Sequence, residues 1–417
     1  MITLLVCGDV GVKRTDCHAI FHGVRAYLRN ADLCFAQLET AISARGAKAP
    51  NARLAMRAPP AMAAAVRAAG ISAMSFAGNH CLDYGYEALD DTLQIAAAEG
   101  IGLCGAGADL AAARRPLVLE VSGVRVAILA VSSILPEGYA ADGDKPGCAP
   151  LRAHTLYEPI ESDQPGTPPR IRSFAHRGDL SSLLHAVEMA GRAAEVVLVS
   201  LHWGIHMVRS VLADYQVEVA HACIDAGAAA ILGHHPHVLK GVEIYRERPI
   251  FYSLGNFAIE QPHIWDPAIT RTASFRHLVS LNPQWSLEAP YMLPEITRMS
   301  GIAKLLIANG RVEARFKPAW ITDDCAPQAL NAADPRFAQV EGLLRDSCSE
   351  AGLATTISRW RRAVPDRLAL GLKGAAPTTR APRLPRIPMR ICDLRGARHR
   401  GASAGRPPVQ RNPGIWP

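Results

Sequence analysis

Six short apolar runs, each closing on small and polar residues, constrain this chain more than any other feature. Ile2–Cys7 runs into Gly8-Asp9, Leu33–Gln37 into Glu39, and Ala73–Phe76 into Gly78-Asn79-His80. Val196–Leu201 runs into His202-Trp203-Gly204, Ala228–Leu232 into Gly233-His234-His235-Pro236-His237, and Ile250–Ser253 into Leu254-Gly255-Asn256. Short aliphatic runs stopped by glycine and polar residues read as buried strands. Helical spacing appears between them: Leu89, Leu93 and Ala96 after Gly85, and Val217, Ala220 and Ile224 after Asp214. Leu180, Leu183, Leu184, Val187 and Ala190 follow the same spacing, with Asp179 placed to cap. Alternating strands and helices predict an α/β fold, in which loops at the carboxyl ends of the strands converge on one crevice.

The 417 residues divide unevenly. Residues 1–325 read as the main domain, with an irregular insertion at about 136–172 and loops near one edge at 260–300. Residues 326–370 read as a helical extension, where the folded body ends. Residues 371–417 hold ten of the basic residues, one acid (Asp393) and eight prolines; they predict a disordered tail of charge +9, against +7 for the whole chain. The body is therefore close to neutral, which argues against a nucleic-acid-binding face; nucleic acid remains an unfavoured partner, through the tail alone. No apolar run reaches the roughly 18 residues of a membrane span. The amino end reads as a strand and not as a signal peptide. The ten cysteines are scattered without a C-x-x-C pair, and buried reduced thiols in a cytoplasmic protein are expected.

The strand-end residues share a chemistry. Asp9, Glu39, Asn79, His202, His235 and His237 combine carboxylate, amide and imidazole donors, a mixture that suits Mn²⁺, Fe²⁺ or Zn²⁺ better than Ca²⁺. One or two such ions activate water and clamp a transferring group. In the H-x-H segment His235 and His237 are expected to point together while His234 turns away. Arg57, ahead of Ala58-Pro59-Pro60, offers a planar fork for an anionic group; it and His234 are assigned to substrate. Asp83 and Asn256 are assigned supporting positions around the ligands. His206 and His221 are read as structural or exposed.

Gly8-Asp9-Val10, Gln37-Leu38-Glu39-Thr40, Arg57-Ala58-Pro59-Pro60, Gly78-Asn79-His80-Cys81-Leu82-Asp83-Tyr84-Gly85, His202-Trp203-Gly204, Gly233-His234-His235-Pro236-His237-Val238-Leu239 and Phe251-Tyr252-Ser253-Leu254-Gly255-Asn256-Phe257 resemble the motifs of the CapA (PgsA) family of poly-γ-glutamate capsule synthesis proteins. The resemblance spans about residues 1–260, and more weakly to 325. It implies a fold like the calcineurin-like metallophosphatases: a β-sandwich with helices on both outer faces and a dinuclear site. It also implies that His80, beside Asn79, protonates the leaving group while metal-activated water attacks a phosphoryl or acyl centre. Three departures stand out. Gly11 occupies a position where metallophosphatases usually carry histidine, Glu39 replaces their bridging aspartate, and His206 sits where an acidic residue commonly follows His202-Trp203-Gly204. Two readings follow: a metal-dependent hydrolase of the phosphoesterase type, or a non-catalytic binding and assembly subunit for an anionic polymer such as poly-γ-glutamate.

Overall fold

Each of the six apolar runs lies on a strand, and the strands assemble into two large sheets. A computed structural model describes residues 1–161, 163–164, 166–359 and 367–372. The strand-end residues belong to or follow β1 (Ile2–Gly11), β2 (Leu33–Leu38), β3 (Ala73–Ser75), β4 (Val196–His202), β5 (Ala230–His234) and β6 (Asn256–Ile259). The run at 250–253 falls on the strand Arg248–Phe251, so Asn256 opens the next strand and does not close that one.

The ten-stranded sheet places β1 at its centre. Parallel β2, β3 and Gly102–Cys104 lie on one side, and the antiparallel pair Met299–Ala308 and Arg311–Ile321 on the other. The second half of β1 exchanges its antiparallel neighbour for β6, which pairs with it in parallel at Asp9↔Asn256. The six-stranded sheet has Val124–Ser132, β4, β5 and Arg248–Phe251 in parallel order. Because side chains alternate along a strand, this sheet has two apolar faces. Val126, Ile128, Leu198 and Leu232 join the core shared with β1 and β2. Ala127, Leu129, Val197, Val199 and Ile231 pack instead under α1 (Arg177–Ala193) and α2 (Asp214–Asp225), through Leu183, Val187, Val219 and Ala220. The molecule is thus a mixed α/β fold with two large sheets sharing one core.

Several local expectations are revised. Asp179 does not cap α1; the His176 ring accepts from the Asp179 backbone N–H, and the buried Asp179 carboxylate is engaged by Arg152 Nε at 2.7 Å and Nη2 at 2.8 Å. The 136–172 stretch contains the strand Ala153–Glu158, which pairs in antiparallel fashion with Arg170–Ala175. The 260–300 stretch holds short helical pieces, including Pro262–Trp265 and Ala273–Ser280. Beyond 325, the helix Pro335–Glu350 is accompanied by the strands Thr355–Arg359 and Leu368–Leu372, which extend the ten-stranded sheet. The tail expected from residue 371 begins later, since Gly371 and Leu372 close that last strand; residues 373–417, with the disorder expected of them, lie outside the described residues. Among the described residues no helix is long and apolar enough to cross a membrane.

Candidate functional site

The site is built where β1 is irregular. Its register with β2 passes from Val6↔Phe35 to Asp9↔Gln37, so β1 spends one extra residue in a bulge. A bulge re-aims the side chain that follows it, and here that side chain is Asp9. Gly8 is required at the bulge because a Cβ there would stand 1.9 Å from the Gly255 carbonyl oxygen. That close approach brings β1 against the loop leading to Asn256.

Around Asp9 the polar strand ends converge. Asp9 Oδ1 lies 3.4 Å from His234 Nδ1, and Oδ2 lies 3.3 Å from His237 Nδ1. Burial alone would raise the Asp9 carboxyl, but these two imidazoles hold it well below the usual carboxylate range. Glu39 Oε1 is 3.9 Å from His237 Nε2, and Oε2 is 3.8 Å from His202 Nδ1. Burial, then the charges of Asp9 and Asp83, push the Glu39 carboxyl well above its ordinary value. Ligand atoms of Asp9, Glu39 and His237 lie within 4.8 Å of one another, a spacing that one cation spans.

The histidines are oriented by their other nitrogens. His237 Nδ1 contacts Asn256 Oδ1 at 2.7 Å, which assigns the proton to Nδ1 and leaves the Nε2 lone pair facing Glu39. His202 Nε2 contacts Asn79 Oδ1 at 2.7 Å, leaving Nδ1 toward Glu39. Burial pushes His202 down to about 3 and His235 well below its ordinary value, so both rings are neutral and able to ligate at pH 7. His235 and His237 both adopt left-handed backbone, with φ of 92° and 58°. Such strain costs about 1–3 kcal/mol per residue and is concentrated at functional sites.

His80 stands at the edge of this cluster. Its Nδ1 lies 2.6 Å from Asp83 Oδ2, and Asp83 is itself fixed by the Met56 backbone N–H at 2.7 Å and the Tyr139 hydroxyl at 3.0 Å. A cleft of about 450 Å³ opens here, lined on one side by Asn79, His80, His206, His235, His237 and Asn256. The facing side is apolar, with Leu54, Met56, Trp265, Phe275 and Trp285 among its residues.

Most of the strand-end residues singled out from the sequence therefore meet, but two assignments are corrected. His234 is 0% exposed, packed 6.3 Å from the Phe35 ring and turned toward Asp9, so it cannot touch a solute. It ends β5 facing the shared core, and the left-handed turn at His235 redirects the next side chain into the cleft. Arg57 is also off the cleft: its Nη1 donates to the Arg45 and Gly46 carbonyls, and its guanidinium lies 4.1 Å over the Tyr84 ring. The exposed guanidinium lining the cleft belongs to Arg53, which the sequence reading passed over. His206 is exposed as expected, yet on the cleft, its ring 5.4 Å from that of His235 and 5.2 Å from that of His237. Its position four residues after His202 was the available signal; nothing in the sequence marked Tyr139 or the apolar wall.

In this α/β fold the buried carboxylates of the ten-stranded sheet meet the imidazoles of the six-stranded sheet at strand ends, and that cluster is the candidate functional site. The chain belongs to the bacterial capsule synthesis protein PGA_cap family, whose sequence profile matches residues 3–261. This bears out the resemblance to CapA. A protein of Mycobacterium tuberculosis named probable polyglutamine synthesis accessory protein is 34% identical over 229 residues, 54% of this chain and 55% of that one. The capsule biosynthesis protein CapA of Bacillus anthracis is 27% identical over 271 residues, 62% of this chain and 60% of that one. The chain thus spans little more than half the length of these relatives. A crystal structure of a hypothetical protein from Thermus thermophilus aligns with a TM-score of 0.42 and 16% identity, over 76% of this chain and 98% of that chain.

Proposed function

We propose that the chain is a metal-dependent hydrolase of phosphoesterase type, acting in capsule biosynthesis on a metallophosphatase-like sandwich. One observation carries this reading. Asp9 Oδ1 and Oδ2, Glu39 Oε1 and Oε2, His202 Nδ1 and His235 Nδ1 are buried where strand ends of the two sheets meet, without a hydrogen-bond partner among the described residues. Each such atom costs about 1–3 kcal/mol when unpaired, and cation coordination offsets that cost for the whole cluster. The donor set fits Mn²⁺, Fe²⁺ or Zn²⁺, with Asp9, Glu39, Asn79, His202, His235 and His237 as the residues that would hold one or two ions. When bound, such an ion supplies Lewis-acid polarisation of a phosphoryl or acyl oxygen and a water of lowered pKa.

The chain's own residues supply the remaining steps. Asn256 and Asn79 fix the ring orientations of His237 and His202. Asp83 stabilises the protonated His80 ring through Nδ1, and His80 Nε2 hands its proton to the leaving oxygen. Gly11 supplies no ligand, and its space is taken: a Cβ there would stand 3.2 Å from Met56 Cε and 3.3 Å from Trp265 Cζ2. A cytoplasmic setting belongs to the proposal, supported by nine described cysteines that are all buried free thiols.

The test is turnover of phosphomonoesters, phosphodiesters and amides with added Mn²⁺. Wild-type protein is expected to turn over at least one class. His80→Ala is expected to lower kcat about 10²–10⁴-fold with metal content unchanged, the range of a lost general acid. Turnover unaffected by that substitution contradicts the assignment. No turnover of any class, with metal-independent binding of poly-γ-glutamate, replaces it with the assembly-subunit reading.

A further inference from the structure

The cleft is lined by two unlike sets of residues, and the apolar set has no part in the chemistry described above. Its wall is made by Leu54, Trp265, Ile269, Phe275, Leu278 and Trp285. These residues form two small apolar clusters that meet at Leu54 and stand apart from the two main cores. They therefore do not hold the sheets together. Trp265 spends its indole N–H on the Glu260 carbonyl at 2.9 Å, and it is buried behind the wall with Ile269 and Phe275. Phe275 and Trp285 meet edge-to-face with centroids 6.0 Å apart. Leu278 and Trp285 remain half-buried, so the wall keeps apolar area that a ligand could cover.

The other set favours negative charge. Arg53 is exposed on the cleft and makes no ion pair with the described residues; its charge acts on His206, whose ring adjoins those of His235 and His237. The Glu260 carboxylate on the lining is already matched, by Arg14 Nε at 2.7 Å and the Arg14 backbone N–H at 2.9 Å. Asp83 is likewise held by His80 and Tyr139. At about 450 Å³ the cleft is of small-molecule size.

We infer that the cleft selects a phosphoester whose leaving group is an apolar alkyl or aryl body, with the phosphoryl at the imidazoles and Arg53 and the body against the Trp265–Phe275–Trp285 wall. This rests on the proposed function for the identity of the polar set and adds the substrate class. A uniformly charged polymer would leave the wall uncovered and is disfavoured as the occupant of this cleft.

The test titrates the full chain, supplied with Mn²⁺, with inorganic phosphate and with methyl-, butyl-, octyl- and phenylphosphonate, read by calorimetry. Burial of a methylene is worth up to about fourfold in affinity, so affinity is expected to rise at least about tenfold from methyl- to octylphosphonate. Trp285→Ala and Leu278→Ser, both at half-buried positions, are expected to flatten the series while circular dichroism and metal content stay unchanged. A gain larger for phenyl than for butyl identifies an aryl body; a gain that continues to octyl identifies an alkyl one. Equal affinity across the series, a series untouched by both substitutions, or no binding of any member overturns the inference. Metal content of the same samples separates the two claims. A length-dependent gain in protein that holds no metal keeps the selection of an apolar body beside an anionic group but removes the hydrolase reading and with it the leaving-group role, whereas bound metal with a flat series overturns the apolar selection and keeps the metal site.

Discussion

Glu39 is 1% exposed, faces Asp9 and Asp83, and has no hydrogen bond to either carboxylate oxygen among the described residues. Its carboxyl is raised above the ordinary value of 4.5 by burial first and by those two charges second. A group raised in this way contributes stability while protonated, fully below the unfolded pKa, and loses it as pH climbs toward the folded value. With a chelator present, Glu39→Gln, which carries no charge to desolvate, is therefore expected to be more stable than wild type at pH 7.5, by about 1.4 kcal/mol or more, the worth of one pKa unit. The difference should fade as pH falls to about 4.5. Urea midpoints at both pH values check this, and a less stable Glu39→Gln at pH 7.5 would show that the carboxylate is well paired. At this scale the sequence was informative where spacing decides direction. The pairing of His235 and His237 on one cleft was readable from H-x-H after a strand. That His234 turns away was readable too; that it turns onto Asp9, out of reach of a substrate, was not, and Arg57 and Arg53 differ in which neighbours happen to capture a guanidinium.

The strand β1 is the element on which the site depends. Its bulge aims Asp9, and its contact with Gly255 sets the distance to Asn256. Gly8→Ala would force a Cβ onto a backbone carbonyl, which cannot swing aside as a side chain would. Overpacking of this kind typically costs about 1–3 kcal/mol, and the backbone contact here places the expected loss at about 3 kcal/mol. A matching fall in metal affinity should accompany it, both measurable by denaturation and metal titration. A neutral Gly8→Ala would mean that β1 and the Gly255 loop can separate without cost. Five of the six site-bearing strands were legible because buried parallel strands are continuous aliphatic runs; the sixth, Asn256–Ile259, was not, because the run before it forms a separate strand. The hairpin of Met299–Ala308 and Arg311–Ile321 was not singled out: Arg311, Glu313, Arg315 and Lys317 break its second strand into alternating charge. The Asp179 cap was misjudged because Arg152, distant in sequence, takes its carboxylate.

For the whole molecule, both main cores, the ligand cluster and the cleft fall within residues 1–374. A chain ending at residue 374 is expected to keep its thermal midpoint within about 1 °C, roughly the shift that about 1 kcal/mol produces in a domain of this size, and to keep its metal content. A large drop on truncation would assign residues 375–417 a part in the fold. The α/β class and the edge where the site lies were legible from alternation and from what closes each run. How the apolar wall of residues 262–293 folds over that edge was not, since its short helices carry no sustained period and are defined by contacts to Leu54 and Met56. The central claim is that the buried carboxylates and imidazoles form a metal centre. The most direct measurement is elemental analysis of protein purified without chelator, beside His235→Ala and His237→Ala. Near-stoichiometric Mn, Fe or Zn in the wild type, lost from both variants, is the expected result; no bound metal, even after incubation with all three ions at pH 7.5, would contradict it.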